Sequence, residues 1–245
     1  MLGLMRADRD IVSTASAASR PVRSSGLRSD AERNRRRIID AARQLYATGG
    51  LAVSMAAIAR EAGVGKATLS RHFGDPQELI DAVFADRMAA YVEATERALA
   101  EPDPWTGFVD YVWRVCEMQA DDRGFADLLT ITFPTRWGLE ADRARSYSGF
   151  LELIRRAKGT GKLRDDFRPE DLVILLMANA GVLTATGDDA PGSWRRLVGH
   201  MLRSYAAPDA PTAPLPASPT PDEIGAAMTR HGVSRPETPE PAQGM

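Results

Sequence analysis

The chain has 245 residues, 44% apolar and 26% charged, an ordinary globular balance with length for one large domain or two small ones. A single cysteine, Cys116, excludes an internal disulfide framework, and three histidines, His72, His200 and His231, leave no ligand set for a structural zinc. The net charge of −2 hides an asymmetry: residues 1–73 carry 13 Lys/Arg against 6 Asp/Glu, residues 74–207 carry 16 against 22, and residues 208–245 carry 2 against 5. A basic front joined to an acidic middle points to a polyanion-binding module with another task attached. The longest apolar run, Leu172 to Ala178, falls far short of the roughly 20 residues a membrane-spanning helix needs. Residues 1–28 lack the apolar block of a secretory signal, so a cytoplasmic protein without membrane contact is expected.

Taken in chain order, residues 1–28 are rich in Ser, Ala and Arg without a sustained apolar period and read as a disordered basic arm; its Arg20, Arg23 and Arg28 are placed to follow a polyanion. Ser29-Asp30-Ala31-Glu32 has the form of a capping box, and Ile38, Ala42, Leu45 and Tyr46 then recur at helical spacing until Gly49-Gly50. Ser54 caps a short helix through Glu61, Gly63 ends it, and a third helix runs from about Lys66 to His72. Asp75-Pro76-Gln77-Glu78 opens a fourth helix with a cap and a proline at its first position, continuing to about Ala100. Further helices are predicted over residues 104–120, 125–132, 139–158, 169–186 and 193–206, and no segment shows strand alternation. Residues 207–245 hold nine of the sixteen prolines, Pro208 onward, and read as a disordered, solvated tail; within it Thr220-Pro221-Asp222-Glu223 could start a transient helix.

The segment from Ile58 to Leu69 has the form of a helix-turn-helix. Ala59 is small where two helices cross, Gly63 permits the positive φ of a tight turn, and Ile58, Val64 and Leu69 fill the space between them. Lys66, Ala67, Ser70 and Arg71 then lie on the exposed part of the second helix, which enters the major groove in this motif. Gly65-Lys66-Ala67-Thr68 is not a phosphate loop, because Arg60 stands where the first glycine is needed and no strand precedes it. The run Arg33, Arg35, Arg36 and Arg37 is either a solvated helix face or a source of phosphate contacts.

Residues 29–92 resemble the DNA-binding domain of the TetR family of transcriptional regulators, on Val53-Ser54-Met55-Ala56-Ala57-Ile58-Ala59, Gly63-Val64-Gly65-Lys66-Ala67-Thr68-Leu69, Arg71-His72-Phe73 and Glu78-Leu79-Ile80. Asp103-Pro104-Trp105 and Ala178-Asn179-Ala180-Gly181 are similar to the SbtR-like C-terminal type, and the likeness covers about residues 29–206. The resemblance implies base reading by Lys66, Ala67 and Ser70 and phosphate contacts from Ser54, Thr68 and His72. Ser70 stands where the family usually has tyrosine, and Pro76 where it usually has lysine.

The resemblance also implies an effector pocket in the acidic half, for which Trp105, Phe108, Tyr111, Met118, Phe125, Phe133, Trp137, Phe150, Met177 and the polar Asn179 are the candidates, although most such side chains are ordinary core. The local charge of the acidic half favours a neutral or cationic hydrophobic ligand. Apolar stripes on the last two helices could close a monomer core; the resemblance implies instead a two-fold four-helix interface, with Leu176, Leu183, Trp194, Leu197, Val198, Met201 and Tyr205 as candidates. The expectation is an all-α protein with a disordered arm at 1–28, a three-helix helix-turn-helix DNA-binding domain at 29–75, a helical ligand-binding and dimerisation domain at 76–206, and a disordered tail at 207–245. Its expected function is that of a homodimeric repressor released from a palindromic double-stranded DNA operator by a small hydrophobic molecule. The alternatives are an effector-free architectural DNA binder and a small helical enzyme, the latter without a catalytic constellation or cofactor motif in the sequence.

Overall fold

The structure, a computed structural model, describes residues 23–130 and 139–233. These residues form ten helices: α1 Arg23–Gly49, α2 Met55–Glu61, α3 Lys66–His72, α4 Pro76–Ala100, α5 Pro104–Asp121, α6 Arg123–Thr130, α7 Glu140–Gly159, α8 Pro169–Thr186, α9 Ser193–Tyr205 and α10 Pro221–Val233. The all-α fold class is as expected, and most boundaries fall where the caps place them. Asp75 accepts from the Gln77 amide at 2.9 Å with Pro76 behind it, and Glu78 reaches back to the Gly74 amide at 3.1 Å, closing the first turn of α4. Asp103 does the same for α5, accepting from the Thr106 amide and hydroxyl.

The start of α1 differs from expectation. The helix begins at Arg23, six residues before Ser29, so residues 23–28 of the expected arm are helical and Asp30 pairs with Arg33 one turn on instead of closing a cap. Once Ile38, Ala42 and Tyr46 are packed, each residue added N-terminally gains a backbone bond without a new nucleation cost. Residues 1–22, including Arg20, lie outside the described residues.

Two apolar cores organise the chain, and α4 runs through both. The first gathers Ile38, Ala42 and Tyr46 of α1, Ile58 of α2, Leu69 of α3, and Leu79, Val83, Phe84 and Met88 of α4. The second gathers α5, α7, α8 and α9 around Phe108, Val112, Phe150, Leu153, Leu175 and Val198. The first core also takes Met118 from the end of α5 and Phe125 and Leu128 from α6, which lies against the end of α1. That approach requires Gly124: a Cβ there would sit 2.8 Å from the Phe84 ring, 2.9 Å from Tyr46 Cβ and 3.0 Å from the Tyr46 carbonyl oxygen. Next to it, the Leu51 amide donates to Asp127 Oδ2 at 2.9 Å.

The C-terminal tail is the second departure, although a helix does start at the Thr220 cap, where Glu223 and Thr220 bond reciprocally. Residues 207–220 lie across the protein as a strap, and α10 packs on α8 with Ala227 buried and Arg230 paired to Asp189. The high proline content excludes helix and sheet, yet a proline-rich chain keeps its carbonyl acceptors. Arg203 donates to the Ala213 carbonyl at 3.0 and 3.3 Å, Arg196 to that of Pro216 at 2.6 Å, and the Trp105 indole to that of Pro211 at 3.2 Å. Gly199 lies between these arginines on α9, and a Cβ there would meet Pro216 at 2.9 Å.

Replacing Gly124 with valine should force α6 off α1 and destabilise the fold by about 2 kcal/mol. A urea midpoint equal to that of the unmodified protein would show that this contact is not tight.

Candidate nucleic-acid interface

The hairpin of α2 and α3 is built from short-range backbone chemistry. Ser54, extended at φ −75° and ψ 147°, accepts from the Ala57 amide at 3.2 Å and so starts α2. Gly63 turns the chain at φ +61°, and the Val64 amide then returns to the Ala59 carbonyl at 3.0 Å. Within α3 only Leu69 is buried, while Lys66, Ala67, Ser70 and Arg71 are exposed and Thr68 and His72 are half-buried. The seven residues proposed from the sequence, Ser54, Lys66, Ala67, Thr68, Ser70, Arg71 and His72, therefore come from one hairpin, and each keeps access to solvent.

Two arginines of α1 brace this hairpin. Arg35 sits over the ring of Phe73, 5.2 Å from its centroid, and Arg37 donates to the Gly63 carbonyl at 3.4 Å. Sequence reasoning treated them as part of an undivided basic run; their spacing of two places them on different sides of α1, and the distant partners are not visible locally. Arg33 and Arg36 pair with Asp30 and Glu32 on the exposed surface, where such pairs contribute little and leave the guanidinium groups accessible.

Comparisons with known proteins bear on the family of the chain. Residues 38–83 match the model for bacterial regulatory proteins of the tetR family, and residues 103–203 match the model for the C-terminal domain of SbtR-like transcriptional regulators. The chain belongs to the TetR family of transcriptional regulators. A TetR transcriptional regulator from Streptomyces coelicolor is 28% identical across 71% of this chain and 99% of its own, with a TM-score of 0.45. A TetR transcription regulatory protein from Mycobacterium vanbaalenii is 29% identical across 74% of this chain and 99% of its own, with a TM-score of 0.41. The hemolysin II transcriptional regulator HlyIIR is 16% identical across 72% of this chain and 99% of its own, with a TM-score of 0.53, and shares the fold. No curated protein matches the chain at a significant level.

The effector-pocket candidates divide. Trp105, Phe108, Tyr111 and Phe150 stack on one another at centroid distances of 5.4–6.4 Å and fill the second core; Met118 and Phe125 belong to the first core. Met177 points outward and is 53% exposed, which corrects its placement as a pocket residue: α8 is apolar on more than one side, and periodicity does not show which side turns inward. Phe133 and Trp137 lie outside the described residues. Asn179 is fully buried; its Nδ2 donates to Gln119 Oε1 at 2.9 Å and to the Cys116 carbonyl at 3.3 Å, so its partners tie α8 to α5. Cys116 is buried as expected, and burial pushes its thiol up to about 12, far from a reactive thiolate. Two of these candidates also border cavities: Tyr111 lines one of about 470 Å³ with Arg97, Glu101, Asp110 and Arg114, and Trp105 lines one of about 350 Å³ beneath the strap.

The interface candidates divide as well. Leu176, Trp194, Val198 and Tyr205 are buried in the chain's own second core, with Leu183, Leu197 and Met201 packed at its edge. This corrects the assignment of Leu176, Trp194, Val198 and Tyr205 to a partner-facing seam, while Leu183, Leu197 and Met201 stay half-buried. The apolar side chains that α8 leaves outside are Val173, Ile174 and Met177, at 43%, 60% and 53% exposure.

Ser54 allows structural and DNA-binding roles to be separated. Ser54→Asp keeps a cap and adds a favourable charge at a helix start, so the urea midpoint should hold or rise. The same charge facing a phosphate should weaken DNA binding by about tenfold; unchanged affinity would remove Ser54 from the interface.

Proposed function

We propose that this TetR-family regulator is a homodimeric repressor whose α3 reads operator DNA and whose C-terminal helices respond to a small hydrophobic molecule. The observation that carries the reading is the α2–α3 hairpin, which leaves Lys66, Ala67, Ser70 and Arg71 uncovered while Arg35 and Arg37 hold it to α1. On this reading Lys66, Ala67 and Ser70 face base edges, and Ser54, Thr68, Arg71 and His72 face the backbone. With tyrosine replaced by Ser70, backbone contact shifts onto Arg71 and the basic residues ahead of α1.

The second copy docks on the exposed side of α8, through Val173, Ile174 and Met177. Two recognition helices then stand about one DNA turn apart, roughly 34–36 Å, and a palindromic operator follows. The effector acts through α6, whose Gly124 and Asp127 touch the end of α1, so a small shift of α6 tilts the DNA-binding head. By linkage, ligand and DNA weaken each other's binding equally.

Selection of DNA fragments by the purified full chain tests the reading: one enriched palindrome is expected, and uniform recovery of all fragments would overturn it. On the selected fragment, Lys66→Ala and Arg71→Ala should each weaken binding with the thermal melt unchanged. Ile174→Glu, which places a carboxylate in the proposed seam, should give a monomer by light scattering that has lost most of its operator affinity. A dimer that survives this change would move the interface off α8.

A further inference from the structure

The cavity beneath the strap lies between one face of α5, one face of α9 and the tail. Its walls are Trp105, Val109 and Trp113 from α5, spaced four apart, with Gly199 and Leu202 from α9. Pro211 to Pro214 form its roof. The matched C-terminal domain model ends at residue 203, so this roof lies outside it.

The roof is held by specific anchors. Trp105, Arg203 and Arg196 fix the carbonyls of Pro211, Ala213 and Pro216 in turn. At Gly199 the strap comes down into van der Waals contact, since Pro216 and Leu215 lie where a Cβ would point. From Pro211 to Pro214 it instead stands off, leaving about 350 Å³ over the two indoles. That volume is at the small end of the roughly 300–1,000 Å³ usual for ligand pockets and suits two fused rings. The chemistry of the walls narrows the occupant further. Asp103 is engaged by Lys162 at 3.0 and 3.1 Å and by Thr106 at 2.9 Å, Arg203 by the Ala213 carbonyl, and the Trp105 N–H by Pro211. Asp103 is already neutralised by Lys162, so a cation gains no free counter-ion there, and an anion drawn to Arg203 competes with the Ala213 carbonyl that holds the roof; an uncharged ligand meets neither cost. Flat apolar surface is what remains, from indole faces below and proline rings above.

We infer that this tail-roofed cavity is the effector site, and that its ligand is an uncharged, flat, bicyclic aromatic molecule. The inference rests on the ligand-responsive reading above and gives that reading a place and a ligand class.

Calorimetric titration of the full chain with 2-naphthol tests it, with 2-naphthoate and 2-naphthylmethylammonium as charged counterparts. Saturable binding of 2-naphthol is expected, with each charged analogue weaker by about tenfold or more. Val109→Trp fills the cavity and Arg203→Ala releases the roof without touching the core; both should lose about tenfold or more in 2-naphthol affinity while keeping the helical circular dichroism signal. Absence of saturable binding, equal affinity for a charged analogue, or unchanged affinity in both variants would each overturn the site. DNA release is read separately on the selected fragment: 2-naphthol should displace it from the unmodified protein and not from Val109→Trp. Binding without displacement would overturn the effector role. Failure to select any DNA would overturn the regulator reading, while the titration still decides whether the cavity binds.

Discussion

Beside α4, which runs through both cores, the contact between α6 and the end of α1 is what locks the head onto the acidic half. Gly124 lets a helix of the acidic half approach Tyr46 and Phe84 more closely than any side chain would permit. Phe125 and Leu128 then enter the core that holds the head together. Asp122 starts this helix, its buried carboxylate accepting from the Phe125 amide at 3.0 Å with Arg87 at 3.8 Å. Burial raises its pKa, and the amide bonds and the arginine work against that rise. Close-packed cores shift between arrangements more readily than they deform continuously, so a junction this dense passes motion on instead of absorbing it.

Charge asymmetry is only a partial guide to function. The basic front of the chain holds one arginine over an aromatic ring and another against a turn carbonyl, and these two stiffen the hairpin that presents α3. Counting positive charge identifies the module; the division of labour within it depends on which guanidinium groups already have partners. In the acidic half, Asp103 is likewise held below the usual carboxylate range by Lys162 and Thr106. It joins the start of α5 to the loop before α8, a structural task for a residue that opens a recognisable motif.

Helix boundaries were legible because their causes are local. Asp75 with Pro76, Asp103 with Pro104, Ser54 and Gly63 each carry a cap or a turn in the residue itself. The exposed residues of α3 were legible for the same reason, since a short helix with one buried leucine leaves few orientations. What escaped was whatever depends on distant partners. The aromatic residues of the acidic half are large and apolar in sequence, but nothing local tells a core side chain such as Phe108 or Phe150 from one such as Trp105 that also lines a void. The tail escaped because prolines report the absence of regular hydrogen bonding, whereas docking depends on Arg196, Gly199 and Arg203, which belong to another element.

Those three residues also constrain how α8 and α9 can meet a partner. Spaced three and four apart, they occupy one face of α9, and the strap covers it. Trp194, Val198 and Tyr205 pack into the second core on the other side, and Leu202 lies between the two, which leaves the half-buried Leu197 and Met201 as the open apolar side chains of α9. Helix α8 is different: Leu172, Leu175 and Leu176 turn inward, α10 takes part of its outer surface, and Val173, Ile174 and Met177 stay outside on its N-terminal half. Three neighbouring aliphatic side chains exposed on one helix carry a hydration cost that a second copy would remove. The tail, by covering one face of α9 and part of α8, leaves that patch open for the two-fold seam proposed above.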